Sequence, residues 1–119
     1  MIHYSTQPGS PVVEIKVEGH VANLELEESI RQLRIDIEQN HKTRLIEIIE
    51  HFTGIEPAAI WTDLKLGLPL AQKVTRVAVV ADQAWIRMMT EFGQFFTRAE
   101  VKSFEPAEID QARAWIIAP

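Results

Sequence analysis

A chain of 119 residues with 46% apolar and 24% charged residues has the size and balance of one globular domain, residues 1–119, and neither a disordered nor a fibrous composition. The net charge of −5 speaks against the basic surface that a nucleic-acid partner requires, and the absence of cysteine excludes disulfides, thiolate metal sites and a cysteine nucleophile. The longest apolar run, Val77 to Ala81, falls far short of the ~20 residues that span a bilayer, so no membrane span is expected. The start, Met1-Ile2-His3-Tyr4-Ser5, lacks the basic and apolar stretches of a secretory signal, and a cytoplasmic location follows as the expectation.

Two extended segments, Ile2 to Ser5 and Val12 to Gly19, flank Gln7-Pro8-Gly9-Ser10-Pro11 and read as a hairpin. In the second, Val13, Ile15 and Val17 alternate with Glu14, Lys16 and Glu18, the period of a strand with one buried and one wet face. Asn23 is placed to cap a helix whose Leu26, Ile30, Leu33 and Ile37 share one side. Arg44 to His51 is the next strand. Its Leu45, Ile46, Ile48 and Ile49 occupy both faces, as happens when a parallel strand is covered on each side.

After an expected loop from Phe52 to Glu56, Pro57 opens a second helix with an apolar stripe of Ile60, Trp61, Leu64 and Leu68. Gly67 and Pro69 predict a kink or an early stop, because proline removes the bond to the carbonyl of Lys65. Thr75 to Ala81 has no polar face and belongs at the centre of the sheet. Asp82 then heads a third helix with Trp85, Met88, Met89, Phe92, Phe95 and Phe96 at helical spacing. Ala99 to Phe104 is an edge-like strand, and Glu105-Pro106 leads into a last helix with Ile109, Ala112, Trp115 and Ile116 inward. The order is ββαβαβαβα. It describes an α/β domain whose five-stranded sheet is mostly parallel, with an antiparallel N-terminal strand.

Three stretches carry a family likeness: Trp61-Thr62-Asp63-Leu64-Lys65-Leu66-Gly67, Arg76-Val77-Ala78-Val79-Val80-Ala81-Asp82 and Trp85-Ile86-Arg87. With the element order, they resemble the SpoIIAA-like family of the STAS superfamily, the sulfate transporter and anti-sigma antagonist domains. The resemblance implies a small bacterial cytoplasmic domain without an established activity. It also implies a switch position, since sporulation-type members of the superfamily are phosphorylated on a serine that opens the helix after the third strand, in an Asp-Ser-Ser-Gly-like turn. This chain reads Phe52-Thr53-Gly54-Ile55-Glu56-Pro57 there, with a threonine hydroxyl beside a glycine and no serine.

Ligands of open α/β sheets bind beyond the carboxyl ends of the parallel strands. That rim holds His20, His51, Thr53 and Asp82, and a histidine within reach of Asp82 would be the minimum kit for general base work. No glycine-cradled serine accompanies it, so no catalytic residue is assigned and the domain is expected not to be an enzyme. His20, His51 and a carboxylate do not have the spacing of a compact metal motif, and neither metal nor cofactor is expected. Trp61 and Trp85 with Lys65 would instead hold a small apolar or amphipathic anionic, lipid-like ligand between the second and third helices. Phe92, Phe95 and Phe96 would form a patch for a protein partner or for self-association. Binding to protein partners ranks above binding to a small ligand.

Overall fold

A computed structural model describes residues 1–84 and 99–119, without the side chains of Leu64, Leu68 and Ala71. Five strands form one sheet in the spatial order of the chain: β1 (Ile2–Thr6), β2 (Val12–Val21), β3 (Arg44–Ile55), β4 (Arg76–Val80) and β5 (Glu100–Phe104). β1 runs antiparallel to β2, and the other three pairings are parallel. A parallel neighbour requires a crossover, and the first two are α1 (Asn23–Gln39) and the segment of α2 (Pro57–Thr62), a π-helical wide turn (Asp63–Gly67) and α3 (Leu68–Ala71). The helix expected from Asp82 through Phe96 lies outside the described residues beyond Gln83 and Ala84, which are helical. After a short 3₁₀ turn at Pro106–Glu108, α4 (Ile109–Ile117) closes the domain.

The sheet carries two cores. On one face Val13, Leu45, Val77, Val79 and Ala81 pack against Ile30, Leu33 and Ile37 of α1 and against Leu70 and Val74. On the other, Ile46, Ile48, Ala78, Val80 and Phe104 pack against Ala112 and Ile116 of α4. Ala78 and Ala112 are both fully buried, and small residues on each side let the helix lie close to the sheet.

The last turn of α4 leaves carbonyl groups without intrahelical partners, and two arginines at the starts of β3 and β4 supply donors. Arg44 Nη1 donates to the carbonyls of Ile116 (2.7 Å) and Ala118 (2.6 Å), and Arg76 Nη1 to those of Trp115 and Ala118 (both 2.9 Å). The Arg76 guanidinium also stands 4.8 Å from the centre of the Trp115 ring, with the Phe104 ring and Lys102 Nζ each 6.0 Å from it. Cations at a helix C-terminus complement its dipole, so hydrogen bonding, charge and stacking fasten the same turn.

Four sequence expectations need correction. Asn23 is the first helical residue and not the cap. The free amide of Ala22 is instead bound by Glu25 Oε2 (3.1 Å), while Asn23 Oδ1 accepts a bond from Thr62 Oγ1 (2.6 Å) that ties α1 to α2. The expected loop from Phe52 to Glu56 is mostly strand, because β3 resumes pairing after a bulge, with His20 opposite Gly54 and Val21 opposite Ile55. The inner face of α2 runs through the fully buried Ala59, which leaves Ile60 and Trp61 of the expected stripe facing out. Its other members, Leu64 and Leu68, lie outside the described side chains. Pro69 brings no stop, since the π-helical turn before it changes the hydrogen-bond pattern and the chain re-enters an α-turn with proline near its start.

Candidate functional site

Two places compete for function: the rim beyond β2 and β3, and the segment of α2 and the wide turn that covers the sheet. At the rim, Glu18 pairs with Glu50 but His20 pairs with Gly54, so β3 takes four steps where β2 takes two. Left-handed backbone absorbs the excess: φ is +66° at Gly19, +47° at His51 and +155° at Gly54. Histidine tolerates this region better than branched residues, and at Gly54 only glycine is comfortable. A Cβ at Gly54 would lie 3.5 Å from His20 Nδ1, so the His20 ring rests against that glycine.

His20, His51 and Thr53 are exposed, and neither imidazole makes a side-chain hydrogen bond among the described residues. Asp82 lies past the end of β4, and no hydrogen bond joins it to His51. A general base positioned by a carboxylate is therefore not assembled here. Among the described residues no three His, Cys, Asp or Glu side chains group to hold a metal ion. Thr53 stands in an extended strand, four residues before Pro57 opens α2, and not at a helix N-terminus.

On α2, Trp61 is 65% exposed, with Ile60 also at the surface, and Lys65 and Leu66 are exposed in the wide turn. Leu24, at the start of α1, is 77% exposed, and the bond from Thr62 to Asn23 brings its end of α1 against α2. Trp85, Phe92, Phe95 and Phe96 lie outside the described residues.

Beneath this segment is a feature that the sequence reading passed over. Cross-strand register places Tyr4, Ile15, Glu47, Val79 and Ser103 in one row across the face covered by α1 and α2. Glu47 is thus a carboxyl group on the central strand, flanked by apolar side chains. Asp63 lies in the wide turn that follows α2. Asp63 is exposed, and its Oδ1 lies 2.5 Å from where a Cβ at Gly67 would stand, next to Ile30.

Neither carboxyl has a hydrogen bond or an ion pair among the described residues. Burial, and secondarily the charge of Asp63, pushes the Glu47 carboxyl up to about 7, and burial raises that of Asp63 as well. Since no fully buried polar side-chain atom among the described residues lacks a partner, the Glu47 oxygens retain some contact with solvent. The signal for Glu47 was its place as the one charged residue within Leu45-Ile46-Glu47-Ile48-Ile49.

The opposite face has a cleft of about 360 Å³ between β2 and α4. Its charges are already matched, Arg113 Nε to Glu14 at 2.9 Å and Lys16 Nζ to Glu50 at 3.2 Å.

A mixed five-stranded sheet with an antiparallel first strand, helical crossovers and a closing C-terminal helix defines a STAS-type α/β domain. The family model described as SpoIIAA-like matches residues 12–117, and the chain belongs to that family. Two solved structures share the fold. One is an uncharacterized protein from the DUF3478 family with a SpoIIAA-like fold, from Shewanella loihica PV-4 (22% identity, TM-score 0.75, covering 98% of this chain and 92% of that one). The other is the anti-sigma factor antagonist SpoIIAA in its unphosphorylated form (17% identity, TM-score 0.65, covering 95% and 98%). No curated protein matches. In the described residues no helix is long and apolar enough to cross a membrane.

Proposed function

We propose that this domain is a non-enzymatic regulatory module that acts by docking another protein, without a phosphorylatable serine at the usual switch position. The docking surface is the outer side of α2 and the wide turn. The observation that carries this reading is Trp61, held in water on a helix whose inner side is occupied by Ala59. Exposed tryptophan forgoes about 25 cal/mol for each Å² of apolar area left in water, and tryptophans buried on association are among the largest contributors to protein interfaces. Ile60, Leu66 and Leu24 extend the apolar area, and Lys65 and Glu27 give it a charged margin. The partner that fits is a protein with an apolar groove bordered by charges of both signs. The SpoIIAA likeness supports a role in regulation by protein contact.

The test compares affinity-tagged wild-type chain with Trp61→Ala in crosslinking and capture from the source cells, with light scattering to read self-association. A partner or second copy held by the wild type and released by Trp61→Ala, with unchanged circular dichroism, is the expected result. Complexes that survive both Trp61→Ala and Leu24→Ser would sink the reading.

A further inference from the structure

We infer that the groove between β1 and α1 is a second interaction surface, which takes an extended basic segment of a partner protein as an added strand on the free edge of β1. Its residues are distinct from those of the α2 surface, and it does not rest on the docking role proposed there.

β1 is an edge strand, paired only with β2 among the described residues. The amide of Glu18 donates to the Met1 carbonyl (2.8 Å), so these two residues form a hydrogen-bonded pair of the antiparallel ladder. Alternation from that pair turns the N–H and C=O groups of Ile2, Tyr4 and Thr6 away from β2, toward the open side. Glu25 answers the first of them, its Oε1 accepting from the Ile2 amide at 3.3 Å. The outward groups of Tyr4 and Thr6 have no bond among the described residues. Such a row is a template for pairing, and β1 has neither the lysine, the proline nor the bulge that blunts an edge.

Ile2, Tyr4 and Thr6 line one wall of a groove of about 490 Å³, and Glu25, Glu28 and Ser29 of α1 line the other. Two features of this lining point to a ligand. Ser29 is 7% exposed, yet its hydroxyl has no hydrogen bond among the described residues. Since no fully buried side-chain atom there lacks a partner, that hydroxyl opens into the groove, and it forgoes a protein hydrogen bond until something fills the space. The second feature is charge. The lining includes the carboxylates of Glu25 and Glu28 and no lysine, arginine or histidine, while Arg31, which pairs with Glu28, is exposed and outside it.

An extended segment laid against β1 would bond to the free amides and carbonyls of Tyr4 and Thr6, and would send alternate side chains into the groove. Lysine or arginine suits those positions. The aliphatic stem packs along Ile2 and Tyr4, the charge meets Glu25 and Glu28, and a donor reaches the Ser29 hydroxyl. The remaining side chains fall beside the exposed His3 and Ser5, where small polar residues fit. A second copy of β1 fits poorly, because it would bring the same acidic flank of α1 against its own.

The test is titration of the nitrogen-15-labelled chain with a short, end-blocked peptide of alternating lysine and threonine, read by amide NMR. A peptide of alternating glutamate and threonine is the control. The lysine peptide should shift the amides of Tyr4 and Thr6, slow their exchange with solvent and saturate below about 1 mM, with the glutamate peptide at least roughly tenfold weaker. Glu28→Lys, at an exposed position, should cut that preference by roughly tenfold. Thr6→Pro removes an outward amide at the free edge without breaking a bond to β2, and should abolish binding of the lysine peptide. Trp61→Ala should leave that binding unchanged, which separates failure here from failure of the α2 reading. An equal response to both peptides, no response of Tyr4 and Thr6 up to about 1 mM, or binding that survives both Glu28→Lys and Thr6→Pro overturns the inference. Protection of those amides that rises with protein concentration in the absence of peptide would show the edge pairing with a second copy, and would overturn it too.

Discussion

The two faces of the sheet are covered in opposite ways. α4 presents Ala112 and Ile116 to a wholly apolar floor, and its last turn is fastened by Arg44, Arg76 and Trp115. The α2 segment buries Ala59, leaves Ile60, Trp61 and Leu66 in water and shares its side of the sheet with Glu47, a carboxyl with no hydrogen bond or ion pair among the described residues. The first cover has every local preference in agreement, whereas the second breaks several at once. In a small domain, conflicts concentrated on one side are where function is to be sought, because stability alone would have removed them.

Substitutions separate the two covers, and the largest effect belongs to the tight one. Ile46→Ala, at one of the most buried positions beneath α4, should cost about 2–5 kcal/mol in urea unfolding, the usual range for a core isoleucine that leaves a cavity. On the other face the sign reverses. Glu47→Gln should stabilise the fold above about pH 7 by up to about 3 kcal/mol, the free energy equivalent to a shift from 4.5 to about 7, and should have little effect below about pH 4.5. Thermal unfolding across that range would show the two curves diverging as pH rises. A constant offset would mean that Glu47 acts only through packing.

Arg76→Ala should cost about 1–3 kcal/mol, through lost charge-assisted bonds to the end of α4 and the lost stacking on Trp115. Fluorescence of Trp115 in a variant lacking the other tryptophans would report the loosened helix before global unfolding. Trp61→Ala and Thr53→Ala should each change stability by no more than about 0.5 kcal/mol, since both side chains are exposed. For Trp61→Ala that small effect is what gives a loss of binding its meaning.

The elements that obey a single rule are the legible ones. The run Val77 to Ala81, the stripe on α1 and the inward set Ile109, Ala112, Trp115 and Ile116 all follow from spacing, because each element obeys a single period. The α2 segment and the end of β3 depart from expectation where more than one rule applies. The spacing of Ile60 and Trp61 suggests a buried stripe, but the buried position of α2 is Ala59. Gly67 and Pro69 signalled a break, and the chain passes them through a wider turn. A histidine followed by a Thr-Gly pair reads as a loop that ends β3 at His51. In the fold, positive-φ backbone at His51 and Gly54 carries the strand past them. Glu47 escaped notice since alternation cannot show whether a lone charge in an apolar strand meets a cation or another acid.

Asp63 and Gly67 show a dependency that reading residues one at a time would miss. Glycine at this position looks like a weak point in a helix, yet its missing side chain is the space the Asp63 carboxyl occupies, so any larger residue would push that acid outward. Homologous sequences should accordingly change the two positions together: where the glycine is replaced, the aspartate should be lost or become neutral.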